Sequence, residues 1–173
     1  MRHLTRGGLY LRVADPHWTD PLSSEYTRRH GGRWNAPERF GVVYLNASVA
    51  VARAQVRHKL EKLGIRPEDL ARDQGPALVN TRIPTDRYVD AVGVAGLRAI
   101  GLPDTYPLDA TGRPIAHERC QPIGQTAWDA GEPGIACRSA ASPEPGVGGE
   151  ELAFFARRQL AVDEVESYAD WFW

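Results

Sequence analysis

Six residues spread along the chain carry groups suited to a phosphorylated, flat ligand: Arg12, Arg33, Trp34, Tyr44, Gln55 and Ser139. The guanidiniums of Arg12 and Arg33 would neutralise a pyrophosphate, because arginine meets phosphate oxygens as a planar fork. Trp34 or Tyr44 would lie along a planar ring. The Gln55 amide would bond a ribose hydroxyl, and the Ser139 hydroxyl a ligand oxygen or amide. Taken singly, each has a plainer reading. Arg33 could stack on Trp34 in a structural turn, and Arg12 could face solvent from a strand. Tyr44 could be core or rim, Gln55 helix surface and Ser139 a strand-end cap. The argument rests on their order along the chain.

Composition narrows the alternatives. With 173 residues the chain fits one domain over 1–173, long enough to bury a core without staples. Apolar residues make up 42% and charged residues 25%, an ordinary balance for a globular protein. A net charge of -1 gives no broad cationic surface, so direct binding of nucleic acid is not expected. Arg28, Arg29 and Arg33 leave room for a local cationic cleft. Cys120 and Cys137 show no metal spacing and read as buried free thiols. The five histidines are scattered, so no metal site is expected. There is no P-loop, no dinucleotide-binding glycine fingerprint opening a helix, no nucleophile elbow and no zinc-protease motif. No apolar stretch is long enough to span a membrane and the N-terminus lacks a signal-like apolar core. A cytoplasmic location is the expectation.

The elements that must position the six residues can be read in turn. Leu9 to Val13 is apolar and β-branched around Arg12, a first strand broken by Asp15-Pro16. His17 to Asn35 reads as a long ordered loop ending in Gly31-Gly32-Arg33-Trp34-Asn35. Gly41 to Leu45 is a second strand. Ser48 caps a helix running to about Leu63, with Val49, Ala52, Val56, Leu60 and Leu63 on its buried stripe. Gln55 falls about 100° round the helix from the centre of that stripe, on its flank. Strands are expected at Ala77–Ile83, closed by Pro84, and at Arg87–Val92. Helices are expected at Ala95–Ile100 and from Pro122 to Ala130. Gly134 to Ser139 reads as a buried strand, residues 142–149 as an exposed loop, and Glu151–Phe155, Gln159–Val162 and the aromatic tail 168–173 as further strands. Short strands with interspersed helices outside strict alternation make the fold class α+β, a mixed or antiparallel β core with a few flanking helices.

The joint order of these pieces resembles the RES domain family, toxins of bacterial toxin–antitoxin pairs. The resemblance runs through Leu9-Tyr10-Leu11-Arg12-Val13, Gly31 to Asn35, Val43-Tyr44-Leu45, the helix from Ser48, Gly134 to Ser139, and Gly149 to Phe155. It implies an ADP-ribosyltransferase-like body with a cleft for NAD, which the family cleaves at the nicotinamide–ribose bond by hydrolysis, phosphorolysis or ADP-ribosyl transfer. NAD would be substrate, with no cofactor. The resemblance places Arg12 and Arg33 on the phosphates, Tyr44 beside nicotinamide and Ser139 as the family's serine. It implies a helix-turn-helix (Xre-like) antitoxin that blocks the cleft; a homo-oligomer stays open.

One position departs from the pattern. The family's glutamate aligns with Gln55, which keeps size and hydrogen bonding but loses charge and basicity. A carboxylate there would stabilise an oxocarbenium-like transition state. Losing one such interaction commonly costs about 2.7–4 kcal/mol, roughly a hundredfold to a thousandfold in rate. A slower enzyme, a non-catalytic module that binds a nucleotide or partner, and an inactivated variant are the alternatives this leaves.

Overall fold

The computed structural model describes residues 1–71, 73–141 and 149–173. Its elements in order are β1 (His3–Ala14), α1 (Glu25–His30), β2 (Val42–Asn46), α2 (Val49–Lys62), β3 (Ala77–Ala91), α3 (Val94–Ala99), α4 (His117–Asp129), β4 (Gly134–Arg138), β5 (Glu150–Phe155), β6 (Val162–Glu166) and α5 (Tyr168–Trp171). The strands form one sheet in the order β1-β2-β5-β4-β3-β6, and a further β1–β3 pairing closes the first five into a ring. Every pairing is antiparallel except β3 with β4. The fold is α+β, as expected.

Strand alternation divides the core. Tyr10, Ala14, Val43, Leu45, Val79, Ala136, Leu152 and Phe154, drawn from all five ring strands, pack with one another inside the barrel. The opposite faces of the same strands carry Val42, Ile135, Cys137, Ala153 and Phe155, which pack outward against Trp34, Tyr106 and α4. Leu11 and Leu78 are covered by α2 and by Tyr168, Trp171 and Phe172.

Several boundaries move from their expected places, for identifiable reasons. Pro84 does not end a strand: β3 runs from Ala77 to Ala91 without a break. The β1–β3 register shifts between Arg6 and Gly8, opposite Ile83 and Asp86, and a bulge is where a ladder tolerates a residue with no N–H. Helix α4 begins at His117 and carries Pro122 within it. The long loop contains α1. The strand expected at Gln159–Val162 lies later, at Val162–Glu166. The aromatic tail is helix α5, its backbone tied to α2 by Arg53, whose guanidinium donates to the carbonyls of Trp171 and Trp173. On α2, Ser48 Oγ accepts from the Val51 N–H as expected, but Val51 is buried and Leu63 exposed. The loop expected at 142–149 falls, except for Gly149, outside the described residues.

Candidate active site

The glycine turn is built as a rigid shelf. Asn35 is fully buried; its Nδ2 donates to the carbonyls of Thr27 (2.6 Å) and Phe40 (3.0 Å). Tyr44 reaches the turn from β2: its hydroxyl accepts from the Trp34 N–H at 2.9 Å and donates to Asn35 Oδ1 at 3.1 Å. A Cβ on Gly32 would stand 2.5 Å from that hydroxyl, so this close approach needs glycine. From the other side Gln121 of α4 donates to the Gly32 carbonyl at 3.0 Å. A Cβ on Gly124 would lie 1.7 Å from the Trp34 carbonyl oxygen, so α4 rests directly on the turn's backbone. Trp34 itself is wholly buried, donating Nε1–H to Cys137 Sγ at 3.4 Å and tilted against Tyr106. The expectation that Trp34 could stack on a ligand is therefore corrected: its ring is core, and Tyr44 is the ring with exposed surface.

Arg33 projects from this shelf. Its Nη1 donates to the Ile115 carbonyl at 3.0 Å, which leaves further N–H groups on the fork. Beside it runs a row of polar side chains on the outward face of β2, β5 and β4. Asn46 donates Nδ2–H to Gln55 Oε1 of α2 at 3.2 Å, and Asn46 lies directly opposite Glu151 in the β2–β5 ladder. Ser139, just past β4, donates its hydroxyl to Glu151 Oε1 at 2.5 Å and accepts from the Ala141 N–H at 3.2 Å. The backbone fixes this serine too, through its N–H to the Gly149 carbonyl at 2.7 Å. Among the described residues the buried Asn46 Oδ1 has no hydrogen-bond donor. Arg33, Tyr44, Gln55 and Ser139 are thus brought to one side of the barrel, with Asn46 and Glu151 between them.

The charges there are few. Burial pushes the Glu151 carboxyl above the usual carboxylate range, an effect opposed by the Ser139 hydrogen bond and by Arg33. Burial likewise raises the Tyr44 and Tyr106 phenols and the Cys137 thiol, keeping them neutral. Arg33 is the cation and Glu151 the acid that these groups share. Sequence reasoning passed over Glu151, although a signal existed: Glu151, Ala153 and Phe155 alternate onto one core-facing side of a strand.

Arg12 is elsewhere. Alternation sets it with Tyr10 and Ala14 on the inner face, the side opposite Tyr44 and Glu151. It is 6% exposed, donates Nη1–H to the Ser23 carbonyl at 2.9 Å and lies over the Trp18 ring. Desolvation lowers its pKa to about 10, with Asp20 acting the other way. The structure therefore does not gather Arg12 into the Arg33 cluster. Cys120 and Cys137 are buried free thiols, as expected. Among the described residues no group of His, Cys, Asp and Glu is placed to hold a metal ion, and no helix is long and apolar enough to cross a membrane.

A family model described as the RES domain matches residues 9–173. Two curated relatives, each the NAD(+) phosphorylase MbcT, from Mycobacterium bovis and Mycobacterium tuberculosis, are 31% identical over 112 residues, 63% of this chain and 55% of theirs. The chain thus aligns with little more than half the length of those relatives. The crystal structure of the M. tuberculosis MbcT–MbcA toxin–antitoxin complex superposes with a TM-score of 0.77 at 22% identity, covering 98% of this chain and 91% of that one. That likeness establishes a shared fold.

Proposed function

Because the chain belongs to the RES domain family, we propose that it consumes NAD, breaking the nicotinamide–ribose N-glycosidic bond with phosphate as acceptor. The supporting observation is the meeting, on one side of the barrel, of Arg33, Tyr44, Gln55 and Ser139 from four separate segments. In this reading the C–N electron pair passes to the ring nitrogen, so nicotinamide leaves neutral. The ribose carbon becomes oxocarbenium-like, and a phosphate oxygen closes on it to give a phosphorylated ADP-ribose. A proton carried by the phosphate passes afterwards to solvent. Arg33 beside the cationic carbon would oppose the reaction, so its fork suits the diphosphate or the incoming phosphate. Tyr44 offers its half-buried ring to nicotinamide, and the Gln55 amide reaches a ribose hydroxyl. Arg12, buried on the inner face of the wall beneath Trp18, takes no part in this reading.

The test is to incubate the purified protein with NAD, with and without phosphate, and follow nicotinamide release and the sugar product. Phosphate-dependent release of nicotinamide with a phosphorylated ADP-ribose is the expected result. Release unaffected by phosphate, with ADP-ribose as product, would make water the acceptor. No release by this chain or by its Gln55→Glu variant would overturn the enzymatic reading. The Gln55 amide favours one second reading, a nucleotide-binding module with little turnover; calorimetry showing NAD binding without release would select it. We further propose a toxin of the cytoplasm, where NAD and phosphate are abundant, held in check by a helix-turn-helix antitoxin that covers Arg33 and Tyr44. Co-expression with the neighbouring reading frame, followed by co-purification and loss of turnover, tests that partner.

A further inference from the structure

Cleavage through an oxocarbenium-like state calls for negative charge close to the ribose carbon, and Gln55 has none to give. The Arg33 cluster nevertheless contains a carboxyl. Glu151 stands opposite Asn46 in the ladder, and Asn46 holds Gln55, so the acid lies one side chain along from the amide. Directly opposed residues on antiparallel strands have their Cβ atoms about 4.5–5.5 Å apart, which keeps Glu151 beside the Asn46 side chain that holds Gln55.

We propose that Glu151 is the anionic residue of this site, acting through Ser139 and by its charge in place of the carboxylate that Gln55 lacks. This rests on the NAD-cleaving reading above. Two features of the geometry carry it. First, Ser139 spends its only proton on Glu151 Oε1 and one lone pair on the Ala141 N–H, so its oxygen has a lone pair, not a donor, to offer a ligand. A serine fixed that way accepts from an amide N–H of nicotinamide or from a ribose hydroxyl. Second, among the described residues Glu151 has no ion pair, whereas its chain neighbour Glu150 is clamped by Arg6 through both carboxylate oxygens, at 2.7 and 2.9 Å. A carboxylate turned to the outer face without a matching cation is structurally unnecessary there, yet available to a positive transition state. The titratable groups that face it are Arg33 from the turn, Tyr44 from β2, Cys137 from β4 and Tyr106 from the loop before α4. Burial keeps the last three neutral.

The experiment compares four full-length proteins: the native chain, Glu151→Gln, Gln55→Glu, and the double variant carrying both changes. Each is assayed for nicotinamide release, for NAD affinity by calorimetry and for thermal stability. The expected result for Glu151→Gln is a fall in kcat of about a hundredfold, with NAD affinity within about twofold and an unreduced melting temperature. In the double variant the carboxylate moves to position 55 and most of the lost kcat returns, a rescue that a merely structural role for Glu151 would not give. Turnover by the native chain that Glu151→Gln leaves unchanged overturns this proposal while leaving the NAD reading intact. A fall in Glu151→Gln that the double variant fails to restore also overturns it, since the charge would then not be what Glu151 supplies. Silence in all four proteins refutes the NAD reading itself.

Discussion

The two faces of the barrel wall each hold a glutamate and arginine side chains, and treat them in opposite ways. Glu150 and Glu151 are neighbours, so alternation sends them to opposite sides. On the inner side Glu150 takes a bidentate grip from Arg6 and a further bond from Tyr10, while Arg12 is sealed under Trp18 and the Ser23 carbonyl. On the outer side, among the described residues, Glu151 has only the Ser139 hydroxyl, and Arg33 one backbone carbonyl. Inner charges are spent on holding the fold. Outer charges are held in place yet left with bonding capacity, which is what a binding site requires.

The largest expected effect separates the two arginines. Arg33→Met should lower kcat/KM for NAD by about a hundredfold to a thousandfold, the scale of losing one charge-stabilising group. Steady-state kinetics on nicotinamide release checks it. A loss below tenfold would mean that the outer cation is structural and that the contrast between the faces is drawn wrongly.

Next in size is the shelf beneath Arg33. Gly124→Ala drives a methyl into the Trp34 carbonyl, and backbone on both sides leaves little room to yield. Overpacking of this kind costs roughly 1–3 kcal/mol, so denaturant unfolding should show a clear drop in midpoint. Gly64→Ala, by contrast, meets nothing within 4 Å and is strained only by a φ of 67°. The outer site should prove sensitive to one added methyl at its base, and turnover should fall along with stability.

The legibility of the chain follows the same division. Periodicity located α2 and its Ser48 cap, because an amphipathic helix states its face within its own sequence. The glycine turn was legible through residue types, and its partner Tyr44 through chain order. What stayed hidden depends on pairing between distant segments. Pro84 looked like a terminator because the bulge that accommodates it forms only by pairing, where Pro84 and Thr85 of β3 face the single Gly7 of β1. Arg12 looked like a partner for Arg33 because a strand's sequence does not say which face closes inward. Trp34 looked available because the thiol and phenol that enclose it come from Cys137 and Tyr106, far along the chain. Glu151 gave a local sign, an acid in register with Ala153 and Phe155, but its meaning depends on Ser139 arriving across the β4–β5 pair.

The paired glutamates make a smaller, pH-resolved test on stability. Glu150→Gln breaks the Arg6 clamp, a partly exposed pair worth about 1 kcal/mol after screening, so the melting temperature should fall at neutral pH. Glu151→Gln should do the reverse. Its carboxyl has a folded pKa raised by burial, so any stability it adds is present below the unfolded carboxylate pKa and is lost as pH rises through the folded value. At neutral pH the native chain carries that burden and the glutamine variant does not. The variant should therefore melt higher at pH 7, with the gap closing as the pH is lowered into the acid range. Parallel behaviour of the two variants would show that the faces do not differ.

The smallest effect is expected at Arg12, and it bears on the contrast most directly. Its guanidinium is desolvated, with its pKa lowered to about 10, and among the described residues its one hydrogen bond goes to a backbone carbonyl. Replacing a buried charge by an apolar side chain of similar reach is often neutral or stabilising, because the desolvation cost goes with it. Against this, Arg12→Met leaves the Ser23 carbonyl short of a donor, a cost of about 1–3 kcal/mol if water cannot reach it. The two should nearly cancel, leaving the denaturation midpoint close to that of the native chain. Because Arg12 lies on the inner face, apart from the Arg33 cluster, kcat and KM for NAD should both stay within about twofold of the native values. A collapse of kcat matching that of Arg33→Met would show that Arg12 reaches the reacting bond across the barrel wall, and the two arginines would then form one site after all.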